Sequence, residues 1–152
     1  MSVSANNKLD AGSQPEEELA SEAAARKVLL VEEQAHVVRV IRHNLERCGF
    51  QVDSADTTNG AMQLMMTCTY EALILTGERP AMHIRELCQR GSELLAVPVQ
   101  ALDPLMLVSC SEEDDLSDVL PGFERLGQPV SLKRIVERLR EALDVPDPDL
   151  PA

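Results

Sequence analysis

Between Lys27 and Leu143 the hydrophobic period switches repeatedly, and that switching limits the folds open to the chain. Val28 to Val31 are four consecutive large aliphatic residues, the pattern of a short strand covered on both faces. Val37, Val38, Val40, Ile41, Leu45 and Cys48 then recur at helical spacing, and Gly49 follows them as the glycine that closes a helix. Phe50 to Ala55 alternates like a strand, and Ala61, Leu64, Met65 and Cys68 mark a second helix. Ala72 to Leu75 is another buried strand, Ile84 to Gln89 a third helix closing near Gly91, and Leu105 to Val108 a fourth strand. Leu132, Ile135, Val136, Leu139 and Leu143 line one face of a last helix with Ser131 as its N-cap. Strands alternating with helices predict an α/β fold, a doubly wound parallel sheet with right-handed crossovers.

Two stretches fit less well. Residues 97–102 form a second apolar run that competes for the fourth-strand position, but Pro98 disrupts it. The 105–108 run, followed by polar Ser109, is preferred. Residues 112–121 leave room for two turns of a further helix, and Glu124 to Gly127 is a weak fifth strand suited to a sheet edge.

The flanks differ from this block. Residues 1–26 carry five acids and two bases with few large apolar side chains, too little to offset the entropy of ordering, although a helix over 16–26 is an option. Residues 144–152 contain three prolines and cannot continue a helix. The expected organisation is a flexible acidic segment (1–26), one domain (27–143) and a proline-rich tail (144–152).

The chain has 26 acidic and 14 basic residues, a formal charge of -12. Each flank holds -3 of it, leaving -6 for the domain, whose 112–118 stretch alone has five acids. That balance, with no Trp, one Tyr and two Phe, opposes nucleic-acid binding, which needs clustered cations and stacking rings. It also opposes anionic membranes. No apolar run approaches a membrane span, and the first residues lack a signal peptide's basic-then-apolar order, so a cytoplasmic protein is expected. Cys48, Cys68, Cys88 and Cys110 stand singly in apolar patterns and are read as reduced packing residues rather than zinc ligands.

In an open α/β sheet, ligands sit where the strands end at their carboxyl side. Those positions hold Glu32 and Glu33 after the first strand, Thr76 after the third, Ser109 after the fourth, and Gln128-Pro129 after the fifth. Each has a plain structural alternative: Glu32-Glu33 as an acidic first turn of a helix, Thr76 as a polar loop residue, Ser109 as a helix cap, and the 112–115 acids as a solvated face.

The run from Lys27 through Glu32-Glu33 to Phe50 resembles the opening of a bacterial response-regulator receiver domain, in which a strand ends in paired aspartates, here glutamates that carry the charge about one methylene further out, and the next helix closes on Gly-aromatic. Tyr70 to Thr76 with Arg79-Pro80-Ala81-Met82 resembles that family's third strand and Met-Pro-x-Met loop, and Leu126 to Leu132 its Lys-Pro-Phe segment. The resemblance implies a flavodoxin-like five-stranded sheet in the order 2-1-3-4-5. It also implies a place in two-component phosphorelay signalling with protein partners. In the family an aspartate at the position of Thr76 accepts a phosphoryl group, Mg²⁺ is bound by it and the acidic pair, a lysine stands at the position of Gln128, and a switch aromatic stands at that of Arg125. Three of these are replaced here. Threonine cannot form an acyl phosphate, and its loss of a carboxylate removes a hard ligand from an ion that demands octahedral geometry.

The expectation is therefore a pseudo-receiver: a protein-binding domain, not an enzyme, with a degenerate pocket of Glu32, Glu33, Thr76, Ser109 and Gln128, and a cis bond before Pro129. No cofactor is expected, with Glu32 and Glu33 as weak Mg²⁺ candidates. A homodimer through the fourth-helix, fifth-strand and last-helix face is a further option. The alternative is a flavodoxin-like ligand or nucleotide-binding domain or enzyme. Against it, no glycine-rich phosphate loop follows the first strand.

Overall fold

The computed structural model describes residues 26–97, 103–110, 123–127 and 130–144. In chain order these form β1 (Arg26–Val31), α1 (Ala35–Arg47), β2 (Phe50–Ala55), α2 (Thr58–Thr67), β3 (Ala72–Leu75), α3 (Ala81–Leu94), β4 (Leu105–Ser109), β5 (Phe123–Leu126) and α4 (Leu132–Leu143). The strands make one sheet in the order β2-β1-β3-β4-β5, parallel at every pairing. This is the flavodoxin-like topology expected from the sequence.

The four-residue apolar runs follow from helices on both faces. In β1, Val28 and Leu30 join Ile74, Leu107, Ile41, Leu45, Ile135 and Leu139 in one core layer, between the sheet and α1 with α4. Leu29 and Val31 point the other way and join Leu73, Leu75, Met106, Met65, Ile84 and Leu87, between the sheet and α2 with α3. All four are fully buried, because alternate side chains serve opposite faces and neither face meets water.

Several boundaries shift. The first strand begins at Arg26, which belongs to the sheet and not to the helix considered for 16–26. Leu105–Ser109 takes the fourth-strand position against β3, while all of the competing 97–102 run after Val97 lies outside the described residues. So do the helix expected over 112–121, Gln128 with Pro129, and the tail after Asp144. β5 begins at Phe123 and, among the described residues, pairs only with β4. Its edge is tied to α4 by Arg138, which donates to both carboxylate oxygens of Glu124. That bond holds the Glu124 carboxyl below its usual range. Gly49 closes α1 at a positive φ of 97°.

Gly91 does not end a helix, as its position suggested. It lies inside α3, buried against the sheet, where a Cβ would come within 2.9 Å of the Met106 sulfur and 3.3 Å of Leu73. The glycine sets how closely α3 approaches the sheet.

Tyr70, the chain's one tyrosine, is fully buried and donates to Asp53 Oδ2 at 2.6 Å beneath the Lys27 ammonium, 5.5 Å from the ring centre. Burial first, then the bonds to Asp53 and Cys68, push its hydroxyl well above the ordinary value of 10.0. The folded state thus favours the neutral phenol. Its contribution to stability is complete below the unfolded pKa near 10 and is lost as pH rises beyond it. Phenolate absorbance during alkaline titration should therefore appear together with loss of helical circular dichroism; ionisation in the still-folded chain would contradict this packing.

Candidate functional site at the strand ends

The sheet registers decide which side chains meet at its carboxyl edge. Val31 pairs with Leu75 and Leu75 with Val108, so Glu32, Thr76 and Ser109 follow side by side at the ends of β1, β3 and β4. All three are buried: Glu32 is 3%, Thr76 2% and Ser109 5% exposed.

Glu32 leaves the sheet with its N–H still donating to Ala55 O at 3.0 Å, so its side chain turns inward. Its Oε1 accepts from the Thr76 hydroxyl at 2.7 Å and its Oε2 from the Gln34 N–H at 2.8 Å. Gly77 makes room for this carboxylate. It adopts φ of 80°, and a Cβ there would stand 3.2 Å from both Glu32 oxygens, so an L side chain would meet strain and a close contact together.

Arg79 completes the cluster. From the loop before α3 its guanidinium donates to Val31 O at 3.1 Å and to Thr76 O, capping two strand-end carbonyls. Burial lowers its pKa from the ordinary value, while the charges of Glu32 and Glu33 act in the opposite sense. Glu33 is exposed. It lines a cleft of about 400 Å³ outside the cluster, together with Asp56, Glu78, Arg79 and His83.

One of the plain alternatives fails. α1 begins at Ala35, with Gln34 as its N-cap and no acid in the first turn, so the acidic pair is not a helix-start decoration. Thr76 is a polar loop residue just past β3, but a buried one, its hydroxyl held on Glu32. Arg79 and Gly77 had no role assigned from sequence. Their signal was position alone, two and four residues after a strand that ends in the pocket.

Solved receiver domains share this architecture. A Francisella response regulator 1452 receiver domain matches with a TM-score of 0.59 at 17% identity, covering 78% of this chain and 97% of that one. Chemotaxis protein CheY4 of Vibrio cholerae gives 0.58 at 16%, covering 78% and 99%. A transiently phosphorylated switch in bacterial signal transduction gives 0.61 at 18%, covering 79% and 96%. The chain has the response-regulator receiver fold. In sequence it is 26% identical over 122 residues to Transcriptional regulatory protein ResD of Bacillus subtilis (strain 168), a match covering 77% of this chain and 48% of that protein. The chain thus spans about half the length of that curated relative. No family model matches it.

Among the other expected positions of a receiver pocket, Arg125 lies in β5, 5.8 Å from the Phe123 ring centre, and donates to Cys110 Sγ at 3.0 Å. Gln128 and Pro129 lie outside the described residues, so neither the amide nor the expected cis bond is placed. The Mg²⁺ site that the receiver fold implies fits this donor set poorly. Among the described residues no three acidic, histidine or cysteine side chains are grouped to hold a metal. Both Glu32 oxygens already accept bonds, and the neighbouring cation is Arg79. A hard divalent ion needs several oxygen ligands in fixed geometry.

Proposed function

We propose that this chain is a receiver-type protein-interaction domain of two-component signalling that acts without aspartyl phosphorylation, without resident Mg²⁺ and without an enzymatic step of its own. The observation that carries the reading is the buried Thr76 hydroxyl donating to Glu32 at the end of β3. The resemblance puts the phosphoacceptor carboxylate at that position. A hydroxyl there cannot give an acyl phosphate, and stabilising a transferring phosphoryl group needs cations aimed at its oxygens. Arg79 is instead spent on backbone carbonyls.

The similarity to half of a transcriptional regulatory protein supports a role in signalling that ends in gene control. No helix among the described residues is long and apolar enough to cross a membrane, consistent with action in the cytoplasm. Dimerisation through the face that includes β5 and α4 would have to use bases other than Arg138, which is engaged with Glu124 and Glu141. The ligand-binding alternative gains nothing from the cleft, whose acids Glu33, Asp56 and Glu78 oppose a phosphate-bearing ligand.

Incubation with a small phosphodonor and Mg²⁺, followed by intact-mass measurement, tests the reading. The mass should stay unchanged. A hydroxylamine-sensitive phosphoryl adduct on a carboxylate would overturn it.

A further inference from the structure

α2 and α3 cover the same face of the sheet and both start at its carboxyl edge. Between them runs a groove. Its upper part is the cleft between Thr57-Thr58 and Pro80-His83; its lower part, about 360 Å³, lies between Met62 and the outer stripe of α3, and Glu86 lines both. Met62 and Met66 stand one turn apart on α2. On α3, Met82, Glu86, Gln89 and Glu93 recur at spacings of three and four residues, which puts them on one stripe. Met66 is 70% and Met82 65% exposed. Met66 and Met82 contribute little to the core and Met62 is partly buried against it, while the same helices bury Met65, Ile84 and Leu87 completely or nearly so.

Flexible thioether side chains flanked by acids form a surface that adapts to apolar anchors while selecting basic flanks. We infer that the α2–α3 groove docks an amphipathic, basic helix of a partner protein, its aliphatic side chains on Met62, Met66 and Met82 and its cations facing Glu78 and Glu86. The charge balance favours this occupant. Of the two arginines at the groove, Arg79 caps strand-end carbonyls and Arg90 is paired with Glu93 at 3.5 Å, which leaves Glu33, Asp56, Glu78 and Glu86 in excess. The chain's own first 25 residues, with five acids and one lysine, have the wrong sign. α4 of a second copy is basic but already buries its apolar stripe of Ile135, Leu139 and Leu143 in its own core. The inference stands apart from the phosphorylation reading, because the groove requires only the helices to be in place.

Methionine-methyl NMR tests it directly. The probe is a synthetic 14-residue helix, the length of α3, with leucines at i, i+4 spacing and lysines elsewhere; a counterpart carries glutamate in place of lysine. The lysine peptide should shift the Met62, Met66 and Met82 signals while those of the buried Met65 and Met106 stay still. Glu78→Lys with Glu86→Lys, both at exposed positions, should weaken binding roughly tenfold, and the glutamate peptide should not bind. Absence of binding, shifts confined to other surfaces, affinity unchanged by the charge reversal, or self-association of the chain through this groove would each overturn the inference.

Discussion

Thr76→Asp, the change that restores the side chain of a conventional receiver, should destabilise this protein by about 3 kcal/mol at neutral pH. The new carboxylate would take the place of a hydroxyl that is 2% exposed and donates to Glu32 at 2.7 Å. One donor would become an acceptor, and two anions would share a site that water does not reach. Both cannot stay ionised, so one carboxyl titrates well above its usual range. The folded state then holds a proton that the unfolded chain has released. The penalty is complete above the raised folded pKa and fades as pH falls from there towards the ordinary carboxyl value near 4. Urea denaturation of this variant at neutral and mildly acid pH checks both the size and the sign. Thr76→Asn, equal in shape but neutral and able to donate, should lose much less. Wild-type stability of Thr76→Asp at neutral pH would mean that Glu32 is not held where the structure places it.

Arg79→Ala carries the second large effect. Its guanidinium caps the carbonyls of Val31 and Thr76, and it is the cation nearest in effect to Glu32 and Glu33. Removing it would leave two strand-end acceptors without a charged donor, at a cost of about 2 kcal/mol after allowance for partial exposure. Arg79→Lys keeps the charge, but both bonds come from one terminal nitrogen, Nη2, which the rigid guanidinium plane holds between the two carbonyls; the flexible lysine stem lacks that pre-organisation, so it should recover only part of that loss. Denaturation midpoints of the three proteins give the ranking directly. The ranking also separates capping from charge, because a purely electrostatic role would let lysine restore wild-type stability.

These two residues also mark where the sequence stops being informative. The strands were legible because a run such as Val28 to Val31 has one physical explanation, a sheet covered on both faces, and that burial is complete. The last helix was legible from its stripe and from Ser131, whose hydroxyl accepts from the Arg134 N–H. Gly91 was misread because a glycine near the end of a helical pattern resembles a terminator; its actual constraint is Met106 on a strand fifteen residues later. Thr76 and Glu32 were recognised as pocket residues, but their burial and mutual hydrogen bond depend on strand register and on the open space at Gly77. Arg79, a charged residue in a loop beside a proline, has the local signature of a surface side chain. Only the convergence of β1 and β3 shows that it closes the pocket.

On the proposed reading, Glu32 and Thr76 satisfy each other, Arg79 caps the strand-end carbonyls, and no metal-dependent receiver site remains. Titration of millimolar Mg²⁺ into the ¹⁵N-labelled chain tests this most directly. The amide signals of Glu32, Gln34, Thr76 and Gly77 should remain in place throughout. Saturable shifts confined to those four residues would contradict the claim, because they would show an ion entering the site that these side chains are argued to fill.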